Sequence, residues 1–236
     1  MRFSLTPLLF ISIVSTQAFA RPIDLYGLCM GLRSGDPMSA EAKHILSGKA
    51  LDQELDAALK DADRVRDAAC IIAETKRSVH LGALLQVRNE HLVPEVFSAL
   101  IRIISPKNEE QIRTAMKSWI QSPNREDHIL KTLGALQVLG AVQPRPTMKD
   151  LEGLLESAIP EVRMGSHDFL FQRFDQLSGQ ERQELMKAAL KRDPIQVRVS
   201  ALRTFRALKD REKKALQIDL RDCKKDPEPE VREECP

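Results

Sequence analysis

The chain has 236 residues, and its 36 Lys and Arg side chains nearly balance its 34 Asp and Glu side chains. A nucleic-acid-binding protein normally carries a clear basic excess, so the net charge of +2 argues against that class. Hydrophobic residues make up 42% of the chain and aromatic residues only 4%, which excludes a disordered composition and disfavours a β-sandwich. Helix-forming residue types dominate, and we expect an all-α protein.

The first twenty residues have the organisation of a secretory signal peptide. A positive start at Met1-Arg2 precedes an apolar stretch over residues 3–14, and residues 18–20 read Ala-Phe-Ala, an A-x-A cleavage pattern. An apolar stretch of twelve residues is shorter than the roughly 20 that a membrane-spanning helix needs. We therefore expect residues 1–20 to be removed by cleavage before Arg21. The mature protein would then be periplasmic or secreted, without membrane insertion.

Export would place the four cysteines in an oxidising compartment, where an even number indicates disulfides. They are Cys29, Cys70, Cys223 and Cys235. Three pairings are possible, and we favour Cys29–Cys70 with Cys223–Cys235 because each pair is local and lies near one end of the chain. A zinc site is the alternative, but the chain has neither the C-x-x-C nor the H-x₃₋₅-H spacing that such sites use.

The mature chain divides into amphipathic segments that we predict to be helices. The first, at 23–33, is short and would cap the N-terminal end of the fold. The first helices of the following hairpins are predicted at 42–60, 79–90, 107–121, 148–158, 179–192 and 210–224. Residues typical of helix N-termini precede four of them: Ser39, Ser105, Thr147 with Asp150, and Ser178 with Glu181.

A repeat organises the second helices. The tripeptide Pro-Glu-Val recurs at 94–96, 160–162 and 229–231, and proline is favoured in the first turn of a helix. Apolar anchors continue the series with spacings of 31, 33, 33, 35 and 34 residues, at Val65, Val96, Ile129, Val162, Val197 and Val231. Small residues follow three positions after the anchors, and mainly apolar residues follow four, seven and eight positions after them, which is one face of a helix. A fixed period of this length predicts stacked helical hairpins.

The pattern from Leu55 through Asp61 and Asp63 to Val65-Arg66 resembles the HEAT repeat in its short form, and 151–163 and 185–201 resemble it as well. The resemblance implies a right-handed α-solenoid of about five and a half helix-turn-helix repeats. Its single domain would fill 21–236, with an N-terminal cap at about 23–36 and repeats over about 39–236. Tetratricopeptide and ankyrin repeats have similar periods, but their characteristic motifs are absent.

An arginine follows four of the anchors. These residues are Arg66, Arg163, Arg198 and Arg232. The resemblance implies that they bridge to acidic residues of adjacent turns and orient the stack. A basic binding groove is the alternative, and the near-neutral net charge favours the structural role.

We find no motif for catalysis, phosphate binding or metal binding in the sequence. The five histidines are spread over different repeats, and we expect ordinary surface or turn positions for them. His167 and Asp168 are adjacent, but neighbours on a helix do not face each other. We therefore expect a protein that is not an enzyme and has no catalytic residue, cofactor or metal.

The remaining candidate for function is a surface, because solenoids commonly bind through an extended concave face. The resemblance implies that the second helices line that face, where Ile71 and Val138 would add apolar positions and Phe171 is a candidate hot spot. The candidate partner-binding residues are Ser98, Arg102, Lys131, Met164, Asp168, Phe171, Arg203 and Arg206. This mixture of charged and apolar residues favours another envelope or secreted protein as partner, with the chain acting as a scaffold, adaptor or inhibitor. The alternatives are an envelope enzyme or cofactor-binding protein with a pocket in the irregular repeats two and three, and a structural spacer.

Overall fold

A computed structural model of the protein describes residues 23–35, 37–88, 91–121, 129–191 and 194–236. All regular secondary structure in these residues is helical, which confirms the all-α prediction. No helix in the described ranges is both long enough and apolar enough to cross a membrane. The predicted signal peptide at 1–20 lies outside the described residues.

The described residues form fourteen α-helices, which we assign to an N-terminal helix and to the first and second helices of successive hairpins. The chain begins with α1 (Leu25–Ser34). The first helices are α2 (Ala40–Ser47), α3 (Lys49–Ala58), α5 (Leu81–Leu85), α7 (Glu109–Gln121), α9 (Met148–Leu155), α11 (Gly179–Leu190) and α13 (Asp210–Leu216). The second helices are α4 (Val65–Thr75), α6 (Pro94–Arg102), α8 (Ile129–Leu139), α10 (Pro160–Phe171), α12 (Ile195–Ala207) and α14 (Pro229–Glu234).

The second helices pack against one another in chain order. Helix α1 contacts α4, and each of α4, α6, α8, α10 and α12 contacts the next second helix. The first helices pack on their partners, as in the pairs α3–α4, α7–α8, α9–α10 and α11–α12. One connected hydrophobic core follows from these contacts, and it runs from Leu25 to Leu216.

Five of the six predicted anchors are buried. Val65, Val96, Val162 and Val197 are fully buried, and Val231 is 2% exposed. The prediction of Ile129 as the remaining anchor is wrong, because its side chain is 36% exposed.

The burial pattern of α8 places Lys131 in the anchor position instead. Buried residues follow Lys131 at distances of three, four, seven and eight positions: Gly134, Ala135, Val138 and Leu139. The Lys131 ammonium lies 4.6 Å from the centroid of the Trp119 ring on α7. Desolvation by burial lowers the pKa of Lys131. A lysine can take this place because its hydrocarbon stem packs like an apolar side chain while its charge stays at the edge.

Two glycines set the approach of α8 to its neighbours. A Cβ atom on Gly134 would lie 2.2 Å from Cζ of Phe97 on α6, far inside a normal carbon contact. A Cβ atom on Gly165 of α10 would lie 2.4 Å from Cδ2 of Leu133 on α8. Both glycines lie three positions after their anchors, which is the position predicted to be small. Their lack of a side chain allows the three helices to pack closely.

Most of the predicted helix N-termini are confirmed. Ser39 accepts a hydrogen bond from the Ala42 amide, and capping boxes join Thr147 to Asp150 and Ser178 to Glu181. Prolines occupy the first turn of α6, α10 and α14, whereas Pro194 is the N-cap of α12. The Ser105 prediction is wrong, because its hydroxyl donates to Asn108 and α7 begins four residues further on.

Three predicted first helices are shorter than expected. The segment 42–60 is split at Gly48, whose extended backbone ends α2 and precedes α3. In 79–90 the α-helix covers only Leu81–Leu85, preceded by a 3₁₀ turn at 78–80. Helix α13 ends at Leu216 because Gln217 adopts a left-handed conformation with φ of 50°.

The cysteines form the two pairs that we favoured. Cys29 and Cys70 join α1 to α4, with a Cα–Cα distance of 5.8 Å, and both residues are buried. Cys223 and Cys235 join a 3₁₀ turn to the end of α14, with a Cα–Cα distance of 5.9 Å, and both are half-buried. No cysteine in the described part of the chain is free. One disulfide thus links α4, the first of the second helices, to α1, and the other links α14, the last of them, to the turn before it.

Candidate binding surface

Exposed and half-buried side chains on the second helices share one face. Positions two, six and nine after an anchor differ by no more than about 60° around a helix of 3.6 residues per turn. We call this set, together with the exposed Leu130, the second-helix surface. Its members are Ser98, Arg102, Leu130, Leu133, Gln137, Met164, Asp168, Phe171, Val199, Arg203 and Arg206.

Contacts between successive second helices involve residues on or next to this surface. Leu133 on α8 lies against Gly165 on α10, and Ser200 on α12 donates to Asp168 on α10 at 3.2 Å. The first contact joins positions two and three after the anchors, and the second joins positions six and three. We call the residues two positions after the anchors the first row and those six positions after them the neighbouring row.

The first row is mainly apolar. Leu133, Met164 and Val199 are half-buried, and Leu130 beside them is 44% exposed. We call these four residues the apolar strip. The neighbouring row is polar, with Arg102, Gln137, Asp168 and Arg203.

Ser98 and Arg102 lie on this surface, as predicted from the sequence. Both residues are exposed. Within the described residues, the Arg102 guanidinium has no carboxylate within ion-pair distance, so its charge faces solvent beside the apolar strip.

Arg203 and Arg206 also lie on the surface, but they share a carboxylate. Glu234 on α14 accepts from Nε of Arg203 at 2.8 Å and from Nη1 of Arg206 at 2.7 Å. Hydrogen bonding to Arg203 is the main reason that the pKa of Glu234 is lowered. These contacts tie α14 to α12 and partly neutralise the two arginines.

The three predicted residues of α10 lie together at the surface. Met164, Asp168 and Phe171 are all half-buried. The Phe171 ring stacks against Phe174, with 6.2 Å between ring centroids, and is tilted against His167 at 6.5 Å. Phe171 therefore packs partly against the protein and remains partly accessible to solvent.

Two apolar predictions for this surface are wrong, and Lys131 lies elsewhere than expected. Lys131 is half-buried with its ammonium over Trp119 of α7, and we therefore leave it out of the second-helix surface. Ile71 is fully buried because α1 packs against α4 and is bonded to it through the adjacent Cys70. Val138 is fully buried because it lies seven positions after Lys131, on the core side of α8.

The residues that sequence reasoning missed are Leu130, Leu133 and Gln137. The shift of two positions in the α8 anchor moved all three away from the surface in the prediction. Gly134 could have indicated the anchor of α8. It lies three positions after Lys131, just as Gly165 lies three positions after the anchor Val162.

The arginines that follow the anchors are structural. Arg66 pairs with Glu95 at 3.5 Å, and Arg198 pairs with Asp226 at 3.1 Å, each across to the next hairpin. This agrees with the bridging role that we expected. The Nη1 atoms of Arg163 and Arg232 donate to backbone carbonyls of the turn before their own helix: Ser157 and Ala158 for Arg163, Asp226 and Pro227 for Arg232.

Two histidines are buried, contrary to the surface positions that we expected. His80 is 1% exposed, and its Nδ1 lies 2.8 Å from Asp56 while its Nε2 lies 3.1 Å from Asp52. His167 is fully buried, and its Nδ1 lies 2.9 Å from the Arg163 carbonyl oxygen. The His80 ring thus joins the 3₁₀ turn at 78–80 to α3, whereas the hydrogen bond of His167 lies within α10.

We searched the described titratable residues for a metal centre. Within the described ranges, no group of three or more His, Cys, Asp or Glu residues could hold a metal ion. Four cavities of about 320 to 510 Å³ are lined by described residues, and none of these four is lined by a residue of α7 or α8.

No protein-family model, no curated protein and no solved structure matches the chain.

Proposed function

We propose that the protein is an exported HEAT-like α-solenoid that binds another envelope or secreted protein through its second-helix surface. It acts as a scaffold, adaptor or inhibitor and catalyses no reaction. The observation that carries this proposal is the apolar strip beside the polar row of Arg102, Gln137, Asp168 and Arg203.

The packing order supports the solenoid. Each second helix from α4 to α12 contacts the next one, and α1 occupies the place of a preceding second helix against α4. Five buried valines and Lys131 recur at spacings of 31 to 35 residues. A stack in which each unit contacts only its neighbours is the general property of solenoid proteins.

The composition of the surface supports a protein partner. Interface cores are enriched in Met, Arg and aromatic residues, and the second-helix surface contains Met164, Phe171 and three arginines. Leu130 is 44% exposed and gains the most from being covered. The free charge of Arg102 beside it would orient an acidic group of the partner.

Affinity capture with paired variants tests the proposal. The tagged full chain is expressed with its own N-terminal segment and incubated with extract of the cell envelope, and bound proteins are identified by mass spectrometry. The test variant is Leu130→Glu with Arg102→Glu. The matched control is Val79→Glu with Lys60→Glu, which changes an exposed apolar residue in the 3₁₀ turn before α5 and an exposed cation in the turn after α3, both outside the second helices.

We expect the wild-type protein and the control to capture the same partner, and the test variant to lose it while its melting temperature stays within a few degrees. Equal capture by all three proteins would contradict the placement of the binding surface. No capture by the wild type, even after chemical crosslinking, would contradict the proposed function itself.

A further inference from the structure

A cavity of about 450 Å³ lies between α11, α12 and the last hairpin of the chain. We call it the C-terminal cavity. Its volume falls within the range of about 300 to 1,000 Å³ that is typical of small-molecule sites. It is separate from the second-helix surface, and no part of the proposed protein-binding function uses it.

The wall of the C-terminal cavity includes five aliphatic side chains. They are Leu190, Leu202, Ile218, Leu220 and Val231. Leu202 is fully buried and Val231 is 2% exposed, whereas Leu190, Ile218 and Leu220 are half-buried. Such a wall favours a hydrocarbon group over water, since each buried methylene contributes about 0.8 kcal/mol.

The carboxylates that line the C-terminal cavity are each bonded to a cation. These pairs are Asp226 with Arg198 at 3.1 Å, Asp219 with Arg221 at 2.6 Å, and Asp222 with Lys225 at 3.1 Å. Hydrogen bonds from Arg221 lower the pKa of Asp219 to about 2, so this carboxylate is ionised and engaged.

Two lysines at the same cavity have no such partner. Lys187 and Lys191 line it one helical turn apart, and both are exposed. In the described part of the chain, neither ammonium group has a carboxylate within ion-pair distance. The cavity therefore combines an aliphatic wall with two lysines that are not paired with any of the three aspartates in its wall.

From this geometry we propose that the C-terminal cavity binds a small amphipathic carboxylate, of which a medium-chain fatty acid is the simplest example. The hydrocarbon chain lies against Leu202, Ile218 and Val231. The carboxylate accepts hydrogen bonds from Lys187 and Lys191 at the rim. Charge-assisted bonds of this kind are about twice as strong as those between neutral groups.

The position of the two lysines at the C-terminal end of α11 requires a control. Cations at this end of a helix also interact favourably with the helix dipole. Lys213 and Lys214 hold the same position in the last turn of α13 but do not line the C-terminal cavity. The variant Lys214→Gln therefore has the same effect on a helix end without changing the proposed site.

The probe is dansyl-undecanoate, whose fluorescence rises in an apolar site. It is titrated into the delipidated full chain and then displaced with decanoate below its micelle-forming concentration. We expect saturable binding at one site, displacement by decanoate, and no displacement by decyltrimethylammonium, which has the same chain and the opposite charge.

In the double variant Lys187→Gln with Lys191→Gln, the decanoate affinity should fall by roughly tenfold or more, which corresponds to a loss of about 1.4 kcal/mol or more of binding free energy. Lys214→Gln should bind as the wild type does, and all variants should keep the wild-type circular dichroism spectrum. Ile218→Thr, on the cavity wall, should weaken decanoate binding without affecting charge selectivity.

The proposal would be overturned if decanoate did not bind the wild-type protein, or if the double-lysine variant bound decanoate with the wild-type affinity. It would also be overturned if decyltrimethylammonium displaced the probe as well as decanoate does. Binding to phosphatidylglycerol vesicles without any response to decanoate would also overturn it, because the positive site would then recognise a membrane surface.

Discussion

Replacing Gly134 by alanine tests the close packing of α6 on α8. The added Cβ would lie 2.2 Å from Cζ and 2.3 Å from Cε1 and Cε2 of Phe97. Carbon atoms in contact are normally about 3.5 to 4.0 Å apart, so the ring would have to retreat by more than about 1 Å. Phe97 is only 1% exposed and has no free space for that movement.

Two opposing effects decide the outcome. Alanine favours a helix over glycine by about 1 kcal/mol, whereas overpacking a well-filled core costs about 1 to 3 kcal/mol. Because three ring atoms are affected at once, we expect the upper part of that range. The net loss in the free energy of unfolding should be about 1 to 2 kcal/mol.

The assay is urea denaturation followed by far-ultraviolet circular dichroism. The matched control is Gly82→Ala on α5, where nothing lies within 4 Å of the added Cβ. This variant should be stabilised by about 0.5 to 1 kcal/mol, since alanine has the lower conformational entropy to lose. If Gly134→Ala stabilised the protein to the same extent, α6 and α8 would not pack as closely at Gly134 as we describe.

A double-mutant cycle with Phe97→Leu identifies the cause. If the ring is the obstacle, the shorter leucine side chain should accept the new methyl group. The two substitutions should then show a favourable coupling of about 1 to 2 kcal/mol. A coupling near zero would assign the loss to another contact.

Three further substitutions have defined outcomes. Lys131→Met should preserve both stability and partner capture, because only the stem of Lys131 fills the anchor position; lost capture would place it on the binding surface after all. Replacing Cys223 and Cys235 by serine should destabilise the last hairpin by about 3 kcal/mol, seen as faster amide hydrogen exchange over residues 217–236, and unchanged exchange would refute this. Ser178→Ala should cost about 1 kcal/mol at neutral pH. Because hydrogen bonds from Ser178 hold the pKa of Glu181 below its ordinary 4.5, the wild type loses this stabilisation as the pH falls below about 4.5 through the lowered pKa. The loss should be smaller in the variant, and identical pH profiles from denaturation curves would contradict the assignment.

The helical architecture was predictable because its signals are local. Valine anchors at a fixed period, prolines in the first turn and capping boxes such as Ser178 with Glu181 each act within a few residues of the chain. The pairing of Cys29 with Cys70 followed from position alone and is confirmed.

The anchor of α8 was not predictable from hydrophobicity. Ile129 is more apolar than Lys131 on any scale, yet Ile129 is exposed and Lys131 packs over Trp119 from another helix. A contact between α7 and α8 decides this choice, and periodicity within α8 carries no information about it.

The buried histidines have the same explanation. The partners of His80 are Asp52 and Asp56, which precede it by 28 and 24 residues and lie on α3. A histidine in a turn is expected at the surface, because the sequence does not show that two distant carboxylates will lie beside its ring. The break at Gly48 similarly depends on how α2 and α3 pack, which a helical pattern across 42–60 conceals.

Site-specific photo-crosslinking tests whether the second-helix surface binds a partner protein. A photoreactive phenylalanine analogue replaces Gln137 on α8 in one protein and Gln53 on α3 in another; both positions are exposed, and they belong to different sets of helices. Each protein is irradiated in living cells, and the crosslinked species are identified by mass spectrometry. We expect one dominant crosslinked protein from position 137 and none from position 53. A dominant crosslink from position 53 with none from position 137 would contradict that expectation.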